Sequence, residues 1–96
     1  MIVLNVTYRF KPGMREPFLN AVVSEGIDRK CREENGNAQY AYFRPVEDDG
    51  QLLLVEKWRD ADALKSHGAT AHMQRLRELK AQYVDETILE RFEAQN

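Results

Sequence analysis

Four short runs of strand-type residues, divided by a helical stretch, a tight turn and a second helical stretch, leave this chain few ways to fold. Ile2 to Phe10 is β-branched and aromatic and stops at Lys11-Pro12-Gly13, which predicts a strand with its own turn. Residues 14–34 carry Leu19, Val23, Ile27 and Cys31 at every fourth position, flanked by Phe18 and Val22. That period predicts one helix, with Pro17 tolerated in its first turn, Gly26 weakening its middle and Asn35-Gly36-Asn37 ending it. Residues 39–46 set Tyr40 and Tyr42 on one side and Ala41 and Phe43 on the other, a second strand. After the turn Glu47-Asp48-Asp49-Gly50, residues 52–59 are almost continuously apolar, which predicts a third strand, covered on both faces and paired with the second as a hairpin. Asp60 caps a helix over 61–67, Gly68 breaks it, and Thr70 caps another over 71–83 with Met73, Leu76 and Leu79 inward. Residues 87–92 form the last strand, with Ile88 and Phe92 on one face and Leu89 on the other.

The resulting order, βαββαβ with the second helix split, predicts an α+β chain of ferredoxin-like type with a four-stranded antiparallel sheet. The 96 residues form one domain, 1–96. Helices on one face leave the other face bare. That face shows several of Ile2, Leu4, Val6, Tyr8, Leu53 and Val55, or their alternates. An apolar patch of this kind favours a second copy, so a homodimer packed sheet against sheet is expected.

Fourteen basic and 16 acidic residues are interspersed and sum to −2, which argues against a nucleic-acid partner. No apolar run approaches a membrane span, and the first residues do not read as a signal peptide. The single cysteine, Cys31, fits a reducing cytoplasm and reads as inert packing. Two histidines five apart do not make a usual metal set, so no metal is expected. No phosphate loop, dinucleotide fingerprint or nucleophile elbow is present, so no cofactor is expected either.

Three segments carry a family resemblance: Lys11-Pro12-Gly13, the strand end Leu54-Val55-Glu56-Lys57-Trp58, and Leu64-x-x-His67 followed by Thr70-x-His72-Met73. Together they resemble the antibiotic biosynthesis monooxygenase family, and its quinol monooxygenase-like branch in particular. The resemblance implies a dimeric α+β barrel built from ferredoxin-like subunits. It implies oxidation of a small phenolic or quinol substrate by dioxygen, with neither metal nor flavin. The family also holds isomerases of a phosphorylated hydroxy-ketone and haem degraders. Haem degradation fits poorly, because Gln74-Arg75-Leu76-Arg77 stands where the resemblance would place the haem-binding histidine. A non-catalytic dimeric module that binds a small apolar ligand stays open beside these, since fold does not fix reaction.

His67 shares a helical face with Leu64 and is a candidate general base, or else a core-edge histidine. His72 lies in a first helical turn, where the dipole disfavours the imidazolium; it supports His67 or ties the two helices together. Asn5, the lone amide in the first strand, reaches a substrate if its face looks toward the helices, as the resemblance implies. Trp58, Tyr40, Tyr42, Phe18 and Met73 are candidate substrate walls, though side chains of this kind are more often core. Glu56 shares a strand face with Trp58 and, if buried, needs a partner, for which Arg44 and Arg91 are the candidates.

Overall fold

A computed structural model describes residues 1–95. The elements run β1 (Ile2–Phe10), α1 (Arg15–Ser24), α2 (Ile27–Arg32), β2 (Asn37–Phe43), β3 (Gln51–Trp58), α3 (Ala61–Gly68), α4 (Ala71–Tyr83) and β4 (Val84–Glu93). The strands form one sheet in the order β2-β3-β1-β4, with antiparallel neighbours throughout. This is the ferredoxin-like α+β arrangement that the element order predicts.

Strand periodicity decides which side chains meet the helices. Ile2, Leu4, Val6, Tyr8 and Phe10 of β1 are buried, as are Leu52, Leu54, Glu56 and Trp58 of β3 and Tyr40 of β2. Phe18, Val22, Ile27, Cys31, Leu76 and Leu79 close over them from the helices. Each large apolar side chain so buried contributes about 1.5–3 kcal/mol. The opposite parity, Val3, Asn5 and Thr7 with Leu53 and Val55, lies on the sheet face that the helices do not cover.

Three expectations need correction. The first helical stretch is two helices: Gly26 adopts φ 69°, a left-handed conformation that ends α1 and restarts the chain as α2. The break resets the helical phase, so Phe18 and Val22 are buried while Val23 is 56% exposed. β3 is covered on one face, not two, with Leu53 and Val55 half-buried on the other. The bare face therefore carries the alternates of Ile2, Leu4, Val6 and Tyr8, joined by exposed Phe43, Ile88 and Phe92. β4 follows α4 directly and is longer than the sequence suggests, and its Leu89, opposite Val6 on the helix-side face, is exposed.

The helix caps act as their sequences predict. Asp60 Oδ1 accepts the Ala63 N–H at 2.9 Å, and Thr70 Oγ1 accepts the Met73 N–H at 3.3 Å. These two caps set the entry of α3 and α4 and so place His67 and His72. Among the described residues, no helix is long and apolar enough to cross a membrane.

Candidate active site

Three helices and a turn converge on one carboxylate. Glu34 follows α2, and its Oε2 accepts from His67 Nδ1 at 2.7 Å and from His72 Nε2 at 2.8 Å. An ionised carboxylate can only accept, so each imidazole presents an N–H to it. The turn that carries Glu34 is pinned by its neighbour Gly36. There φ is +87°, and an added Cβ would lie 2.6 Å from Ala63 Cβ at the start of α3. The Gly36 carbonyl also accepts the Arg59 N–H at 2.8 Å. Glu34 is thereby held against α3 by backbone packing as well as by its side chain.

The interior side of His67 meets the sheet. Its ring lies 4.4 Å from that of Trp58 at an interplanar angle of 37°. Among the described residues its buried Nε2 has no hydrogen-bond partner, and it faces Glu56 Oε1 at 3.6 Å. Trp58 Nε1 donates to that same Glu56 oxygen at 3.0 Å. Burial pushes the Glu56 carboxyl above its ordinary range, against the Trp58 and His67 contacts that pull it down. Glu56, His67, Glu34 and His72 thus form a line of titratable groups from the interior to the surface. His67 is 4% exposed in its side chain, and His72 is 15%.

Most residues singled out in the sequence sit in or beside this line. Tyr40 packs edge-on against His67 at 5.9 Å and against Tyr42 at 5.9 Å. Both tyrosine hydroxyls are buried with no hydrogen-bond partner among the described residues, and burial raises their pKa values. Phe18 touches Tyr42 at 6.5 Å but belongs to a separate aromatic group with Tyr8, Phe10 and Tyr83. Met73 is partly buried against the core.

Two placements overturn the sequence expectation. Asn5 points to the uncovered sheet face, opposite the helices, because Leu4 and Val6 take the inward parity of β1. Glu56 pairs with neither candidate arginine: Arg44 binds Glu16 at 2.7 Å, and Arg91 approaches Glu93 at 3.6 Å. The space beneath α3 and α4 is also closed. Trp58, Tyr40, His67, Leu76 and Leu79 fill it, each nearly inaccessible to solvent. A hollow of about 290 Å³ lies outside instead, lined by Glu34, Asn35, Arg59, Asp62, Ala63, Ser66 and Thr70.

Glu34 is the residue that the sequence did not reveal. It sits beside Glu33 at a helix end, where acidic side chains are ordinarily solvated. Its one local signal is the left-handed stop at Gly36, which turns the chain back toward the sheet. Cys31, one helical turn earlier, lies beside the cluster as well. Burial pushes its thiol up to about 12.

A ferredoxin-like sheet with helices on one face and a partly buried Glu–His–Glu–His line defines an α+β subunit with a cluster of titratable side chains. The sequence profile of the family described as "Antibiotic biosynthesis monooxygenase" matches residues 1–79, and the chain belongs to that family. A protein of Bacillus subtilis (strain 168) named "Putative monooxygenase YcnE" is 40% identical over 74 residues, covering 77% of this chain and 76% of the relative. The crystal structure of PA3566 from Pseudomonas aeruginosa superposes with a TM-score of 0.88 at 22% identity, over 99% of this chain and 94% of that one. Rv0793 from Mycobacterium tuberculosis gives 0.85 at 19% identity, over 99% and 95%. These two structures speak for the fold.

Proposed function

We propose that this chain is a cofactor-independent monooxygenase that oxidises a small phenolic or quinol substrate with dioxygen. Family membership and the name of the Bacillus relative support the reaction class. The observation that carries the proton chemistry is the pair of imidazoles aimed at one Glu34 oxygen.

The interior beside Trp58 is filled, so the substrate is assigned to the outer hollow, with its hydroxyl toward Glu34. Glu34 accepts the phenolic proton, and His72 or His67 relays it. The resulting phenolate is electron-rich enough to reduce dioxygen. For a phenol with a free para position, one oxygen atom enters the ring, and the products are a quinone and water. The four electrons come from the substrate, so the protein's part is orientation and proton control. A phosphorylated hydroxy-ketone fits less well, because Glu34 and Asp62 outweigh Arg59 in the lining. The chain is further proposed to work as a homodimer joined through the face bearing Val3, Leu53, Val55 and Phe92.

Oxygen uptake with simple quinols and phenols tests the assignment. Glu34→Gln should lower turnover by about 10²-fold or more, and Asn5→Ala should leave proton transfer intact. Full activity in Glu34→Gln overturns the role of the cluster. One observation favours a second reading, a non-catalytic dimeric module: the closed packing of Trp58, Tyr40 and His67 leaves no interior room. Absence of uptake with every quinol and phenol tried would favour that module.

A further inference from the structure

The Glu34 cluster has a property that proton transfer does not need. Cys31 of α2, Glu34 beyond it, His67 of α3 and His72 of α4 each offer one donor atom, and these four atoms lie within 4.8 Å of one another. The nitrogens turned toward Glu34 are His67 Nδ1 and His72 Nε2. We propose that these four side chains form a binding site for a divalent transition metal of the zinc class.

Four physical points support the site. First, the donor set is right in kind: one thiolate, two imidazoles and one carboxylate suit a borderline-soft ion in tetrahedral geometry. Tetrahedral coordination with ordinary zinc bond lengths needs donor separations of about 3.3–3.6 Å. On binding, the cluster has to open slightly at its two short N···O contacts and close at its longest separation. Second, the charge balances. A thiolate and a carboxylate neutralise a divalent ion, leaving an uncharged centre in a largely buried place, with the thiol proton released to solvent.

Third, the surroundings hold the ligands. With His67 Nδ1 on the metal, its proton must sit on Nε2, and that nitrogen faces Glu56 Oε1 at 3.6 Å. The buried Nε2 without a hydrogen-bond partner then becomes a donor aimed at a carboxylate that Trp58 Nε1 already fixes at 3.0 Å. A carboxylate behind a ligating histidine sets its tautomer and strengthens it as a ligand. Fourth, the site has an entrance: Glu34 lines the outer hollow beside Ser66 and Thr70.

This inference stands apart from the oxygenase proposal, because metal loading is read with no substrate present. The two uses exclude each other in one molecule, since a metal occupies the atoms that would relay a proton. Chelator-stripped protein is titrated with Co²⁺ while the thiolate-to-cobalt absorption is followed. Zn²⁺ affinity is then measured by competition against a chromophoric chelator. The expected result is one equivalent per chain, a thiolate band, and a thermal midpoint that rises with Zn²⁺ concentration. Cys31→Ala should abolish the band. His72→Ala, at a partly exposed position, should weaken Zn²⁺ binding by about tenfold or more, with folding of both variants checked by circular dichroism. Absence of saturable binding in the wild-type protein overturns the site. So does binding that is equal in wild type, Cys31→Ala and His72→Ala.

Discussion

The layer between helices and sheet has two ends of opposite character. At one end Tyr8, Phe10, Phe18 and Tyr83 pack ring against ring, with Phe18 at the centre. At the other end Trp58 and Tyr40 surround an imidazole held between two carboxylates. The first end gains free energy from apolar burial and tolerates little loss of volume. The second buries ionisable groups, for which desolvation offsets much of what their contacts return. A small domain has little stability to spare, so groups of that kind are best explained by what they do. The aromatic end therefore accounts for the fold, and the polar end for the chemistry proposed above.

Substitutions at matched positions break or sharpen this contrast. Phe18→Ala empties the middle of the aromatic end and is expected to cost about 3–5 kcal/mol, read from the urea midpoint. His67→Leu keeps the volume and removes the polar group. It is expected to cost about 1–2 kcal/mol, because Glu34 keeps His72 and Glu56 keeps Trp58, while oxygen uptake and metal binding both fall. A loss at His67→Leu as large as that at Phe18→Ala would erase the distinction between the ends.

The smallest effect belongs to an exposed reference outside both ends. Glu16 accepts from Arg44 and then Arg15, which hold its carboxyl down from an ordinary 4.5 to about 2. A lowered carboxylate contributes stability above its unfolded value and loses it as pH falls toward the folded one. The Glu16 carboxyl resonance should titrate well below 4.5, and Arg44→Ala should move its midpoint back up. An unchanged midpoint would show that the pair is too mobile to matter.

The features legible in the sequence were those set by local chemistry. Asp60 and Thr70 announce helix starts because a side-chain oxygen needs only an amide three residues on. The ferredoxin-like arrangement followed from the order of elements along the chain. Gly26 was visible as a weak point. Whether it bends or ends a helix depends on packing beyond the helix itself, and α1 buries Phe18 and Val22 and leaves Val23 exposed. Asn5 was ambiguous because a strand's period of two does not say which parity the helices will cover. Glu34 was out of reach, since its partners lie 33 and 38 residues away and meet it only once three helices have docked.

Gly36 has a consequence for how this chain could drift over time. The hydrogen that stands in place of a side chain there lets the turn press against Ala63, and the same turn carries the carboxylate that gathers both imidazoles. In a library of random variants screened for solubility alone, position 36 should admit fewer replacements than position 34 or 72. Architecture and reactivity would then be inherited through different residues, and a descendant could fall silent without first becoming misshapen.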